Sequence, residues 1–289
     1  MREKKVQLHN KVRQNYTLQY LIAVCLFCTV FSFASLSQAE EQNINDIRFP
    51  IENWDAHLLG LIDKGPTLLE DNDAFMPKPY PANDSEETRK ELDYLVELSK
   101  TKRDPKTIEF ILNENDVFFA VDSFVEGGVL TMNLNEGLNK GLWKALEIVD
   151  QELDFFLMKY KKHYSRARPS QLRPELTLVI DNPHHAAYPS GHAAQSYSIA
   201  TIMSMVDPEN EAIYKDFAKS IAHRREIAGV HYPSDSKAGQ NLAINVIDKL
   251  MEFPEFQAAL EKAKETFVRA PSLKDYKMQM TNVNFEGHN

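Results

Sequence analysis

The sequence is poor in cysteine. Of 289 residues only Cys25 and Cys28 are cysteines, and both lie near the N-terminus. The chain beyond residue 39 therefore cannot form a disulfide, even in an oxidising compartment. Positive charge is also scarce: 33 Lys and Arg stand against 42 Asp and Glu, for a net charge of -9. That balance argues against a nucleic acid as partner, since phosphate backbones call for clustered positive charge. It argues equally against a peripheral grip on anionic lipid. Strand signals are nearly missing; Leu176 to Ile180 is the one β-branched run of note. After Leu36 no stretch is long and apolar enough to cross a bilayer.

The segment before residue 40 has its own pattern. Arg2, Lys4, Lys5, Lys11 and Arg13 precede an apolar run from about Tyr20 to Leu36, and Ser37-Gln38-Ala39 follows with small residues at the exit. These are the three parts of a secretory signal. Cleavage after Ala39 is expected, with a periplasmic or secreted product that has no stable membrane insertion. Cys28 follows Leu26-Phe27, a poor match to a lipoprotein site. Removal of residues 1–39 leaves 28 basic against 41 acidic residues, a net charge of -13. Any anion site must then be a local gathering of cations in an acidic protein.

Residues 40–84 are rich in Asn, Asp and Pro, and Met76-Pro77-Lys78-Pro79-Tyr80-Pro81 cannot be helical. They read as an extended arm. The main body, residues 85–269, reads as helices. A capping box at Asp84–Glu87 opens one through about Lys100, and Asp104-Pro105 opens a short one to about Asn113. Leu138, Leu142, Ala145, Leu146, Val149, Leu153, Phe156, Leu157 and Tyr160 recur at spacings of three and four. They form one apolar face of a long helix from about Asn135 to Tyr160. Prolines 169, 174, 183 and 189 then break the chain into a loop region of about 25 residues, a length that usually carries function. Helices resume over Gly191–Met205, from Asp207-Pro208 to about Ala228, and over about 234–253 and 255–268. Residues 270–289 form a polar tail. The expected fold is all-α, one domain, with apolar faces that leave room for a homo-oligomer.

Three short stretches break local rules. Lys161 lies four residues after Leu157 and eight after Leu153, on the buried stripe. Its charge needs a partner there, or its stem must snorkel out. Arg168-Pro169 follows. In the second stretch, Tyr188-Pro189-Ser190-Gly191-His192 leads straight into a helix. This sets backbone N–H groups and a hydroxyl at the positive end of that helix, which serves either as an oxyanion site or as an ordinary serine cap. In the third, Arg225 lies on the apolar face of Phe217 and Ile221, Gly229 can end the helix, and His231 falls in the turn. Asp235, four residues on, can hold one imidazole nitrogen and leave the other as nucleophile, or simply hold the turn. His184 and His185 are adjacent loop histidines without a carboxylate cluster, so they are not read as metal ligands.

Taken in order, Lys161, six residues, Arg168-Pro169; Pro189-Ser190-Gly191-His192; and Arg225, five residues, His231, three residues, Asp235 resemble the three motifs of the type 2 phosphatidic acid phosphatase superfamily. The chain looks most like its class A bacterial non-specific acid phosphatases, and the site is similar to that of vanadium haloperoxidases. The resemblance implies a helical bundle and a phosphate monoester substrate. It implies phosphate binding by Lys161, Arg168, Ser190, Gly191 and Arg225. It implies catalysis by His231 as nucleophile, Asp235 as its orienting group and His192 as general acid, with no metal and no cofactor. Two departures are visible. Arg224 stands where the family commonly has serine, either adding to the anion field or facing solvent, and the cysteines of disulfide-bearing members are missing. A lipid phosphate phosphatase, a vanadium-dependent haloperoxidase and an inactive phosphate-binding module remain as alternatives.

Overall fold

Leu142, Ala145, Leu146, Val149, Leu153, Phe156, Leu157 and Tyr160 are all buried along one helix and belong to the main core. The structure is a computed structural model that describes residues 43–114, 117 and 139–268. The expected signal segment, the first residues expected in the long helix and the polar tail lie outside the described residues. From Ile44 onward the chain clusters as one unit. Among the described residues there is no strand, only an isolated antiparallel bridge between Arg48 and Arg166. The fold is all-α.

The helices are α1 (Ala56–Lys64), α2 (Glu86–Thr101), α3 (Pro105–Asn113), α4 (Lys140–Tyr164), α5 (Pro169–Leu172), α6 (Gly191–Val206), α7 (Glu211–Ala228), α8 (Pro233–Leu250) and α9 (Pro254–Thr266). The central helix is α4. It runs four residues past the expected end because Ser165, in the left-handed region at φ 44°, supplies the stop. α6 packs on α4, α7 and α8, while α9 packs chiefly on α4. A second, smaller core joins Leu92, Leu95 and Leu98 of α2 to Ile111 of α3, Ile227 and Ala228 of α7, and Val230 and Tyr232 after it.

Several local expectations are corrected. Ser85, not Asp84, caps α2, its hydroxyl accepting from the Thr88 amide at 3.1 Å. Asp207 and Pro208 open a short 3-10 turn, Pro208–Asn210, and α7 starts only at Glu211; Asp207 makes no side-chain cap bond there, and its carboxylate takes the Tyr214 hydroxyl at 2.8 Å. Leu176 to Ile180 forms no strand.

The arm over residues 40–84 is not simply extended. Asp55 caps α1 through the His57 amide, and Leu58, Leu59, Leu61 and Ile62 pack on the main core. Polar spacing hid that short amphipathic turn among Asn, Asp and Pro. The arm is fastened by one buried carboxylate on α4. Glu152 accepts from the backbone amides of Thr67, Leu68 and Leu69 at 2.7, 2.8 and 3.1 Å. Charge-assisted bonds of this kind are about twice as strong as neutral ones. Among the described residues no helix is long and apolar enough to cross a membrane.

Candidate active site

Three chain ends meet in the body. The first is the end of α4 with the turn that follows it, carrying Lys161, Arg166 and Arg168. The second is the start of α6, carrying Ser190, Gly191 and His192. The third is the link from α7 to α8, with Arg225, His231 and Asp235. Gly229 makes the last of these possible. It closes α7 at φ 87°, a conformation that side chains rarely adopt, and its amide bonds the Glu226 carbonyl at 2.9 Å. Backbone bonds stitch the ends together: the Ser190 amide donates to the Asp235 carbonyl at 3.0 Å, and the Ala187 amide to the Arg166 carbonyl at 3.0 Å.

His231 is 2 % exposed. Its Nδ1 lies 3.1 Å from Asp235 Oδ2 and its Nε2 lies 3.1 Å from Arg168 Nη1. A guanidinium can only donate, so Nε2 is the bare nitrogen and Nδ1 carries the proton given to Asp235. Burial, then Arg168, hold the imidazole down to a pKa of about 3; Asp235 opposes them. Burial alone would protonate Asp235, but Arg166 and His231 hold it well below the usual carboxylate range. His231 is thus neutral, with one lone pair exposed to cations.

Those cations are buried without carboxylate partners. Lys161 Nζ donates to the carbonyls of Ala186 and Ala187 at 3.0 and 3.3 Å. Arg168 donates to the Val230 carbonyl at 2.7 Å and the His185 carbonyl at 2.8 Å. Both side chains are fully buried, and among the described residues neither makes an ion pair. Burial and Arg168 push the Lys161 ammonium well below its ordinary value, and burial brings Arg168 down to about 10. Carbonyls orient such cations but leave their charge largely uncompensated, so an incoming anion is favoured strongly.

Arg225 completes the charge. Its Nη2 holds the Ile111 carbonyl at 2.8 Å and Glu114 at 3.1 Å, while buried Nε and Nη1 have no partner among the described residues. Unpaired buried donors each cost about 1–3 kcal/mol, a cost that an arriving oxygen would remove. Ser190 is fully buried and its hydroxyl accepts from the Ala193 amide at 3.3 Å. That leaves the Gly191 and His192 amides among the first-turn donors with no intrahelical acceptor. The Lys161 stem lies against Gly191, whose absent Cβ would sit 4.0 Å from it. His192 is half-buried, and its Nε2 lies 2.8 Å from the Glu114 carbonyl. A carbonyl only accepts, so Nε2 holds the proton and Nδ1 is free to take another. Burial, then Arg225, lower its pKa well below the ordinary value.

The structure therefore brings together all eight residues singled out in the sequence. Three more, Arg166, Glu91 and Glu114, were not foreseen. Arg166 and Glu91 hold Asp235 and its neighbour Ser234; only the position of Arg166 between Lys161 and Arg168 could have pointed to it. Glu114 has no local signal. Arg224 does not face solvent, and its charge is felt at Arg225. It is 9 % exposed and pairs with Glu114, its Nε 2.7 Å from Oε1. His185 Nδ1 lies 3.0 Å from Arg168, which explains that loop histidine as support for the cation. Among the described residues no three His, Cys, Asp or Glu side chains could hold a metal.

Gly239 on α8 has no room for a side chain. A Cβ there would overlap the Ser190 carbonyl and lie 3.1 Å from the Ala194 amide. Gly239→Ala should cost about 1–3 kcal/mol, as overpacked cores do. Urea unfolding would measure it. A variant as stable as the parent would mean that α8 does not fix the start of α6.

Comparison with known proteins agrees with the geometry. Residues 152–251 match the model of the PAP2 superfamily. The non-specific acid phosphatase of Providencia stuartii is 29% identical over 126 residues, covering 42% of this chain and 51% of that protein. That of Salmonella typhi is 34% identical over 113 residues, covering 36% and 44%. The chain thus spans about half the length of the curated relatives it matches. A bacterial vanadium-dependent iodoperoxidase has the same fold, with TM-score 0.50 and 17% identity over 64% of this chain and 55% of its own. With its three motifs converging on His231, the chain carries a PAP2 superfamily domain across residues 152–251.

Proposed function

We propose that this protein is an exported, metal-independent acid phosphatase that hydrolyses soluble phosphate monoesters through a phosphohistidine on His231. One observation carries the reading: His231 offers a bare Nε2 beside two fully buried cations that make no ion pair among the described residues. Phosphoryl transfer asks chiefly for positioning and charge stabilisation. Lys161, Arg168, Arg225, Ser190 and the Gly191 amide would hold the phosphate oxygens. His231 Nε2 forms a bond to phosphorus as the ester P–O bond breaks, and His192 gives its proton to the leaving oxygen. His192 then takes a proton from water, water oxygen bonds to phosphorus, and the P–N bond breaks to release phosphate. The similarity to acid phosphatases from two bacteria supports the reaction class, and water-soluble monoesters are preferred here to lipid phosphates because no helix among the described residues is long and apolar enough to cross a membrane. A periplasmic or secreted site of action rests on the N-terminal pattern.

The pH dependence follows from the two histidines. The nucleophile must be neutral, and His231 is neutral above a pH of about 3. The acid must be protonated, and its lowered pKa confines that form to low pH in the free enzyme. A bound phosphate dianion raises it again. The expected profile is bell-shaped with an acidic optimum, measured on an aryl phosphate with EDTA present and vanadate as inhibitor. An optimum above pH 8, or activity that EDTA removes, would contradict the proposal. Vanadate-dependent oxidation of iodide or bromide by peroxide, without hydrolysis, would reassign the site to a haloperoxidase.

A further inference from the structure

We propose that Arg166 is a positioning residue for the His231 reaction: tied to Glu91 on α2, it clamps the Asp235 carboxylate and thereby fixes the imidazole that Asp235 holds. The inference rests on the phosphatase reading for its kinetic consequence, but not for its geometry. Arg166 is fully buried. Its Nη1 donates to Asp235 Oδ1 at 2.6 Å and to the Ser234 hydroxyl at 2.7 Å, and its Nη2 donates to Glu91 Oε2 at 3.1 Å. The guanidinium lies over the rings of Tyr232 at 3.7 Å and Tyr80 at 4.9 Å. Glu91 also accepts from the Ser234 amide at 2.6 Å. Thus Ser234 and Asp235, in the first turn of α8, are gripped by the same Arg–Glu pair. Behind them, the Arg166 backbone is itself fixed by Ala187 and by the bridge to Arg48.

The other oxygen of Asp235 does the work on the imidazole. Oδ2 accepts from His231 Nδ1 at 3.1 Å and from the Tyr232 amide at 3.0 Å. With Oδ1 held by Arg166, the carboxylate plane cannot turn, so the direction of His231 Nε2 is set. Charge matters as much as direction. The groups that face Asp235 are Arg166, His231 and Tyr232 in contact, with Glu91, Tyr80, Lys161, Arg168 and Tyr188 around them. Arg166 is the largest influence keeping the buried carboxylate ionised. Without it, Asp235 would take a proton at higher pH and, as a neutral acid, would accept more weakly from His231 Nδ1 and the Tyr232 amide. Outer partners of this kind are usually needed to hold a histidine in one tautomer.

The test reads the His231 Nδ1 proton directly. Nitrogen-15-labelled full-length protein is followed by NMR from pH 4 to 8, the signal being assigned by its loss in His231→Ala. Beside the wild type stand Arg166→Met, Arg166→Lys and Glu91→Gln, each with its Tm and its aryl phosphate kinetics. In Arg166→Met the resonance should be lost within this range as pH falls, while the wild type keeps it. Its kcat should fall about 10²-fold, the effect of a slightly misplaced reacting group, while KM changes less than threefold. Arg166→Lys keeps the charge and should restore part of kcat; Glu91→Gln should keep the resonance. Should Arg166→Met fail to fold, Arg166→Lys decides: wild-type kcat and wild-type pH dependence there would overturn the proposal. It is equally overturned if Arg166→Met keeps the resonance and kcat of the wild type, or if Glu91→Gln matches every loss in step with Tm. A wild type inactive on aryl phosphate would sink the phosphatase reading alone, because the resonance is read without substrate.

Discussion

His231→Ala should abolish aryl phosphate hydrolysis, lowering kcat by at least about 10⁴-fold, the order found when a nucleophile that works as one unit with its partners is removed. The imidazole has no stand-in. His185 is turned onto Arg168, and His192 is held on the Glu114 carbonyl. The lost atom is also the attachment point for phosphorus. Rapid alkaline quench, which preserves the acid-labile P–N bond, with phosphorus-32-labelled substrate should therefore trap label on the wild type and none on the variant. The substitution removes no ion pair of Lys161 or Arg168, so a drop in kcat with inorganic phosphate still bound would separate chemistry from binding. Trapped label on His231→Ala would place the nucleophile elsewhere and end the assignment.

Lys161→Met should make the protein more stable and less active at once. Met matches the stem in volume, so packing changes little. The charge it removes is fully buried, has carbonyls as partners and is pushed well below its ordinary pKa. A lysine whose folded pKa is lowered costs stability at neutral pH. That cost shrinks as pH rises from the folded value towards the unfolded value of about 10.4, because the unfolded chain binds more protons there. Freed from this, Lys161→Met should melt about 2–4 °C higher in phosphate-free buffer, corresponding to about 1 kcal/mol net of the two carbonyls left behind. Its kcat/KM should drop about 10³-fold, as when one preorganised donor to a transition state is lost. Inorganic phosphate should raise the wild-type Tm and leave the variant's nearly unmoved, so the ranking narrows or reverses as phosphate is added. Thermal scans with and without phosphate check both. A lower Tm without phosphate would mean that the ammonium is well accommodated and that the anion-cage reading of Lys161 is wrong.

What could be read in advance follows from how local the signal is. Lys161 stood out because it breaks an apolar stripe, and it is buried as that stripe demanded. Arg225 broke a stripe in the same way. Ser190 at a helix start and Gly229 at a helix end are decided by neighbours within four residues, so both caps were legible. The His231–Asp235 spacing spans one helical turn, and the contact forms as that spacing allows. Glu91 and Glu114 were not legible. They reach the site from 143 and 111 residues away in sequence, and on their own helices they look like ordinary surface or end carboxylates. The placement of Arg224 was left open for the same reason, since its partner is Glu114. The hidden helix α1 failed differently: nine residues set among Pro, Asn and Asp give too short a period to rise above a loop composition.

The amide bonds that stitch the three chain ends have a consequence for how the protein is put together. Ser190 reaches Asp235, Ala187 reaches Arg166, and Glu91 reaches Ser234 only after α2, α4, α6 and α8 have all docked. Each closure spans tens of residues, and its chain entropy must be overcome before any contact repays it. Residues 152–251 alone would lack Glu91, Ile111, Glu114 and the α9 face against α4, so the family's borders do not mark a self-sufficient folding unit. Phosphate added during refolding then binds nothing until the last helix arrives, and its uptake times that final step.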